Sequence, residues 1–137
     1  MHRLTAEGFS LSLELDISES DIKYPSNTIM SVKVSSDGFS AASGMDIDIK
    51  KFGAFAVSLK SMYDELSGEA AIQEAYGYHR SIAFSADKSG HISVKGYLCD
   101  ELKNHEFYFS NSFDQTFLRD FACELFDCYS KYASQNI

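Results

Sequence analysis

The alternation of apolar and polar residues divides the chain into strand segments and helices. Residues 9–17 alternate at every step, which is typical of a strand with one buried and one exposed face. Residues 28–43 predict a hairpin, because Asp37-Gly38 is a favoured two-residue turn. The period of two returns over residues 69–77 as a weaker strand and over residues 80–112 as a three-stranded meander.

Two segments change to the helical period. Between residues 49 and 66, apolar side chains recur at three- and four-residue steps, which predicts an amphipathic helix. Asp48 is the expected N-cap and Gly68 the expected terminator. Gly53 lies inside this helix, at a cost of ~1 kcal/mol relative to alanine.

The second helix is predicted over residues 114–133, and it decides how Asp114 is interpreted. Ser112 and Gln115 match a capping box, which places Asp114 in the first turn, at the positive end of the helix dipole. We therefore predict that Asp114 starts a helix and has no catalytic role. The apolar stripe of this helix is predicted to contain Phe117, Leu118, Phe121, Leu125, Tyr129 and Tyr132.

The order of these elements predicts an α+β fold. We expect a single α+β domain over residues 1–137, with a mostly antiparallel sheet of about six to seven strands and two helices packed on one face. No repeat, linker or low-complexity segment suggests a second domain. The residues predicted to be buried are Phe9, Leu13, Phe84, Val94, Phe121 and Leu125.

Charge narrows the classes of partner. The chain carries 20 acidic and 12 basic residues, a net charge of −8. This balance argues against direct nucleic-acid binding, which needs clustered Lys and Arg, but it favours encounter with a basic partner. The sequence shows no export signal and no apolar run of membrane-spanning length, so we expect a cytoplasmic protein without a membrane partner.

Catalytic and metal-binding motifs are absent from the sequence. His79, His91 and His105 have no metal-ligand spacing, and no glycine-rich phosphate loop is present. We predict no catalytic residue, no cofactor and no metal. Two alternatives stay open: an enzyme that pairs Asp46 or Asp48 with His79, and a module that binds a small molecule between sheet and helices.

Acidic residues mark two candidate partner-binding surfaces. Glu14 and Asp16 lie on the polar face of the first alternating strand, in a stretch (residues 4–22) without a basic residue. On the final helix, Asp120, Glu124 and Asp127 follow each other at four- and three-residue steps, away from the apolar stripe. Because like charges at this spacing cost a few tenths of a kcal/mol, the arrangement favours a basic partner, and an ordinary solvated face is the alternative.

Two tyrosines are further candidates for partner binding. Tyr97 and Tyr108 alternate with core residues of the meander, so both are expected on the exposed face of the sheet. Tyrosine is enriched at the centres of protein interfaces, although two tyrosines paired across strands can also serve only to stabilise a sheet.

Short segments throughout the chain resemble the WapI-like immunity proteins of bacterial polymorphic toxin loci. The segments are EGFSLSLEL, SNTIMSVKVSSDGFSAAS, FGAFAVSLKSMYDELSGEA, GHISVKGYL and FDQTFLRDF. The most distinctive positions are Gly68-Glu69-Ala70 and the Asp114-Gln115-x-x-Leu118 motif. The resemblance implies a non-enzymatic protein that binds a cognate toxin domain in the cytosol and blocks it. We expect this protein to be a monomer or a homodimer. Such toxins are often nucleases, whose basic clefts suit an acidic inhibitor.

Overall fold

The computed structural model describes residues 1–133, which form eight strands and two α-helices. The first half contains β1 (His2–Ala6), β2 (Phe9–Ile17), β3 (Thr28–Ser36), β4 (Phe39–Ile47) and α1 (Ile49–Glu65). The second half contains β5 (Glu69–Gln73), β6 (Ser81–Ala86), β7 (His91–Cys99), β8 (Glu106–Asp114) and α2 (Arg119–Ala133).

Each half repeats one topology: a four-stranded antiparallel meander followed by a helix. The first sheet has the strand order β1-β2-β3-β4, and the second has the order β5-β6-β7-β8. The predicted α+β fold with antiparallel strands and two helices is confirmed. The strands number eight, where six to seven were expected, and they form two sheets. The predicted domain extends to residue 137, and residues 134–137 lie outside the described part of the chain.

Strand β1 was missed from the sequence because its inward positions are weakly apolar. They hold His2, Leu4 and Ala6, of which only Leu4 is a large hydrophobic residue. His2 is buried because the Nδ1 atom of its ring lies 2.9 Å from Glu124 Oε1 and Nε2 lies 2.6 Å from the hydroxyl of Tyr129. Burial raises the pKa of Tyr129 to about 12, so this phenol stays protonated and can donate to Nε2 while Nδ1–H donates to Glu124.

The two sheets meet near β8, and the two helices lie beside the outer strands β1 and β5. Phe9 of β2 packs on Phe109 and Phe113 of β8, with ring centroids 6.1 and 6.0 Å apart. Helix α1 lies along β5, and α2 lies along β1. The helices also pack on each other, with Phe52 edge-to-face against Tyr129 at 5.1 Å. One apolar core therefore joins both sheets and both helices, and all six residues predicted to be buried lie in it.

Helix α1 begins and ends as its sequence indicates. The Asp48 side chain accepts a hydrogen bond from Lys50 N at 3.0 Å, which confirms the predicted N-cap. The helix ends at Glu65, and its C-cap Leu66 is left-handed with φ of +52°. Gly68, the predicted terminator, follows two residues after Leu66 with φ of +93°. Glycine suits that second position because a side chain there would be strained.

Helix α2 begins later than predicted. Strand β8 continues to Asp114, a 3₁₀ turn follows at Gln115–Phe117, and the α-helix starts only at Arg119. The capping-box prediction is wrong, because Ser112 lies inside β8. Asp114 still begins the helical segment: its carboxylate accepts from Thr116 N at 3.0 Å and caps the 3₁₀ turn. Phe117 was predicted to belong to the apolar stripe of the helix, but it lies in this turn and is 39% exposed.

Replacing Asp114 by alanine is expected to lower the melting temperature by a few degrees at neutral pH, because the turn loses its cap. The hydrogen bond from Thr116 N lowers the pKa of the Asp114 carboxyl. A carboxyl with a lowered pKa in the folded state stabilises the fold above its unfolded pKa, and this contribution is lost as pH falls through the folded pKa. The difference in melting temperature should be constant above about pH 5 and shrink below about pH 4. Circular dichroism at a series of pH values measures it.

The matched control is Asp114→Asn, which keeps an oxygen acceptor for Thr116 N and is expected to lose less stability at neutral pH. If Asp114→Ala lowers the melting temperature in acid as much as at neutral pH, the carboxylate does not act as the cap.

Candidate functional site

The exposed face of the second sheet carries a pair of tyrosines whose rings lie close together at a tilt. Tyr97 of β7 lies directly opposite Tyr108 of β8, and their ring centroids are 4.6 Å apart at an interplanar angle of 36°. The Tyr97 hydroxyl donates to Glu106 Oε1 at 2.7 Å. This hydrogen bond, together with desolvation, raises the pKa of Tyr97. Tyr97 is therefore fixed by two contacts, whereas the ring of Tyr108 is 73% exposed.

Two phenylalanines lie beside this pair: Phe39 of the first sheet, and Phe107, which alternates with Tyr108 and packs on the core side of the second sheet. Phe39, the first residue of β4, is 73% exposed and lines a groove of about 510 Å³ together with Phe107 and Tyr108. Phe107 is half-buried. We call Phe39, Tyr97, Phe107 and Tyr108 the aromatic surface. Tyr97, Phe107 and Tyr108 stand on the paired strands β7 and β8, and Phe39 stands on β4 of the first sheet, so their backbone positions are set before any partner arrives.

Two grooves beside the aromatic surface carry acidic residues, whereas a further groove, lined by Tyr97 and Tyr108, contains Lys95. A second groove of about 450 Å³ lies between β4 and the β7–β8 hairpin. The residues that line the two grooves include Asp37, Asp100 and Glu106, and no lysine or arginine. A cationic side chain of a partner would therefore be favoured beside the aromatic rings.

The acidic residues predicted for partner binding lie on other elements. Glu14 and Asp16 are exposed on β2 of the first sheet, where Asp16 lies opposite the exposed Ile29. They face outward as the alternation predicts, but the tyrosine pair stands on the second sheet.

The acidic residues predicted on α2 lie apart from both β2 and the tyrosine pair. Asp120, Glu124 and Asp127 are all exposed on this helix. Asp120 stands in its first turn, where a carboxylate favours the helix dipole. Glu124 has a structural contact, the hydrogen bond to His2 that holds β1 on α2. The structure therefore brings Tyr97 and Tyr108 together and leaves the five acidic candidates on β2 and α2.

A buried ion pair joins the two sheets. Arg80 Nε lies 3.6 Å from Glu74 Oε1, and both side chains are buried. Arg80 Nη1 also donates to Ser43 Oγ at 3.1 Å and to the carbonyl oxygen of Gly44. Within residues 1–133, Nε of Arg80 has no hydrogen-bond partner. Because its other contacts tie β4 to the β5–β6 connection, we assign this pair an architectural role.

The enzyme alternative pairs Asp46 or Asp48 with His79, and these residues differ in burial and in hydrogen bonding. Asp48 caps α1 and accepts from Asn27 Nδ2 at 3.0 Å, whereas Asp46 and His79 are exposed. No group of three His, Cys, Asp or Glu residues within the described chain could hold a metal ion. No helix of residues 1–133 is long and apolar enough to span a membrane.

The small-molecule alternative corresponds to a cleft of about 660 Å³ between α1 and β5. Lys51 and Phe55 of α1 line it together with Gln73 of β5 and Glu74, which follows β5. Its lining is both polar and apolar, and among residues 1–133 Lys51 is the one basic residue that lines it.

Comparison with protein families decides the relationship that the sequence segments suggested. The model of the immunity protein WapI-like family matches residues 4–133, almost the whole chain. The chain belongs to the WapI-like immunity protein family. Membership suggests an immunity role and a cognate toxin as partner, and the family is generally non-enzymatic. No curated protein and no solved structure matches the chain.

The match to the WapI-like family begins inside β1 and spans the other seven strands and both helices of the described chain. The most distinctive positions of the sequence resemblance have structural explanations. Gly68 takes a left-handed conformation after α1, and Ala70 is buried in β5. Asp114 caps the turn before α2, and Leu118 is buried beneath that turn. The motif residues thus serve the fold, and none of these four belongs to the aromatic surface.

Phe39 and Phe107 were missed as candidate binding residues. Phe107 was predicted to face the core, and it does pack against the core, half-buried at its margin. Phe39 follows the Asp37-Gly38 turn, whose positive φ angles of +51° and +91° fit a type I′ hairpin. A large apolar residue immediately after such a turn lies at the end of the sheet, and this signal was available in the sequence.

Proposed function

We propose that this protein is a cytoplasmic immunity protein that binds a cognate toxin domain through the aromatic surface and thereby blocks it. Family membership supports the immunity role, and the exposed aromatic surface is the single observation that carries the choice of site. Large aromatic side chains are frequent hot spots of protein interfaces, since they bury much area at a small entropic cost.

The charge of the chain supports a basic partner. At a net charge of −8, the protein attracts a cationic surface over several ångströms and speeds encounter. Nuclease toxins bind phosphate through basic clefts, so a nuclease domain is the partner whose chemistry fits best. An acidic inhibitor placed over such a cleft would exclude its substrate.

The direct test uses the C-terminal domain of the protein encoded immediately upstream, which we call the upstream domain. We expect the wild-type protein to form a stoichiometric complex with this domain and to abolish its toxic activity in the same titration. The control is an unrelated basic protein of similar charge, which should bind weakly and only at low salt. Failure of the upstream domain to bind would contradict the proposal.

Charge reversal on α2 or β2 is expected to slow association without speeding dissociation. Glu124 is left unchanged because it hydrogen-bonds with His2. The α2 variant is therefore Asp120→Lys/Asp127→Lys. The matched β2 variant is Glu14→Lys/Asp16→Lys. Each variant moves the net charge from −8 to −4, since two acidic residues become two basic ones. Because neither pair belongs to the aromatic surface, both should reduce the association rate to a similar extent, and more strongly at low than at high salt.

Stopped-flow association and dissociation rates with the upstream domain, at two salt concentrations, measure this effect. Faster dissociation of the α2 variant alone would place α2 inside the interface and contradict the choice of site.

A further inference from the structure

The outer edge of β4 is occupied along its second half. The carbonyl oxygen of Asp46 accepts from Ala75 N at 2.8 Å, and Asp46 N donates to Glu74 Oε2 at 3.4 Å. Two residues earlier, the carbonyl oxygen of Gly44 accepts from Arg80. These contacts show that every second residue of β4 points its backbone groups away from β3, as an antiparallel pair requires.

The first half of the same edge is open. The period of two places the N–H and C=O groups of Ser40 and Ala42 on the edge that Gly44 and Asp46 share. In residues 1–133, no hydrogen bond joins these groups of Ser40 or Ala42 to another element. Unpaired backbone groups on a strand edge are a template for a further strand.

The open edge faces the groove between β4 and the β7–β8 hairpin. Ser40, Ala41, Ala42 and Ser43 line one wall of this groove. The Ser43 hydroxyl donates to the Cys99 carbonyl at 3.0 Å and closes one end of the groove, whereas the small side chains of Ser40 and Ala42 permit close approach of another backbone. Residues of the hairpin line the other wall: Leu98, Cys99, Asp100, His105, Glu106 and Phe107.

Strand β8 presents a second open edge to the adjoining groove. Two hydrogen bonds show which residues of β8 bond to β7 in this phase of the ladder. Asp100 N donates to the His105 carbonyl, and Gln115 N donates to the Gly90 carbonyl. In that phase, Tyr108 and Ser110 point their backbone groups away from β7. Helices lie beside the outer strands β1 and β5, whereas β4 and β8 meet at these two grooves.

We propose that an extended segment of the toxin partner pairs with the open edge of β4 through Ser40 and Ala42 and adds one strand to the first sheet. Main-chain hydrogen bonds would supply affinity, and side-chain chemistry would supply specificity. The segment would direct apolar side chains toward Phe39 and Tyr108 and basic side chains toward the groove carboxylates, Asp37, Asp100 and Glu106. This inference rests on the proposed function, since the occupant is the toxin.

The test removes one backbone donor and leaves the side chains of the groove in place. In Ala42→Pro, the proline lacks an N–H, and its ring stands on the free side of the strand, where edge strands tolerate proline. We expect binding of the upstream domain to weaken by about tenfold or more, because one main-chain hydrogen bond is lost and its acceptor is left unpaired. The matched control, Ala42→Ser, keeps the N–H and should bind as the wild type does.

Hydrogen exchange of the wild-type protein provides a second measurement that does not depend on folding of the proline variant. The amides of Ser40 and Ala42 should exchange rapidly in the free protein and become protected in the complex with the upstream domain. The amide of Gly77, in the β5–β6 connection and outside the two grooves, serves as the reference and should exchange at the same rate in both states.

Tight binding by Ala42→Pro together with fast exchange of both amides in the complex would overturn the strand pairing while leaving the immunity proposal intact. Absence of binding by the wild-type protein would overturn the immunity proposal and this inference with it. Protection of the two amides that grows with concentration of the protein alone would show pairing between two copies of this chain and would contradict a toxin segment as the occupant.

Discussion

Replacing Gly53 by alanine is expected to destabilise the protein, although alanine is the better helix former. A Cβ atom at this position would lie 2.7 Å from Ala133 N and 2.7 Å from Tyr129 O, both backbone atoms of α2. Backbone atoms cannot rotate away as a side chain can, so the helices would have to separate. The helix propensity gain of ~1 kcal/mol is smaller than this overpacking cost, and we expect a net loss of about 2 kcal/mol in the free energy of unfolding.

Urea unfolding followed by circular dichroism measures the effect of Gly53→Ala. The matched control is Gly44→Ala in β4, where an added Cβ meets no atom within 4 Å and should be tolerated. A stabilised Gly53→Ala variant would show that helix propensity outweighs the close approach of the two helices, and it would contradict the packing described here.

Truncation of the aromatic surface is expected to have the largest effect on toxin binding. Tyr108→Ala and Phe39→Ala should each speed dissociation from the upstream domain by about 30-fold, which corresponds to ~2 kcal/mol for a hot-spot residue. Both side chains are mostly exposed in the free protein, so their removal should leave the melting temperature close to that of the wild type.

Surface plasmon resonance of the single variants measures these rates. Tyr24→Ala is the matched control, because Tyr24 is another exposed tyrosine and lies in the β2–β3 connection, away from the aromatic surface. Unchanged dissociation for both Tyr108→Ala and Phe39→Ala would show that the partner binds elsewhere.

Periodicity predicts which side of an element is buried, and here it did so well. Phe9 and Leu13 alternate with polar residues, and Phe121 and Leu125 follow the helical period, so their burial could be predicted from local sequence. The division of the strands into two sheets could not, because alternation indicates a face and does not identify the neighbouring strand.

The errors at β1 and α2 have a tertiary origin. His2 is polar, and its burial depends on Glu124 and Tyr129, more than 120 residues away in sequence. At α2, helical spacing starts before the helix does, because the pairing of Phe113 with Ile92 extends β8 to Asp114. Long-range contacts override local propensity in both places.

The candidate site was predictable only in part. Alternation placed Tyr97 and Tyr108 on one face, and the register of β7 and β8 sets them side by side. The proximity of Phe39 to Tyr108 depends on how the first sheet lies beside the second, which no local pattern encodes. The separation of Glu14 and Asp16 from the tyrosines also depends on how the two sheets are arranged, and no local pattern encodes it.

Survival of cells that produce the upstream domain tests the central proposal most directly. Cells would co-produce that domain with the wild-type protein, with the Phe39→Ala/Tyr108→Ala double variant or with the Tyr24→Ala control, at protein levels confirmed to be equal. An immunity protein that acts through the aromatic surface predicts survival with the wild type and the control and loss of growth with the double variant. Full protection by the double variant would contradict the aromatic surface as the binding site, and death of cells with the wild-type protein would contradict the immunity function itself.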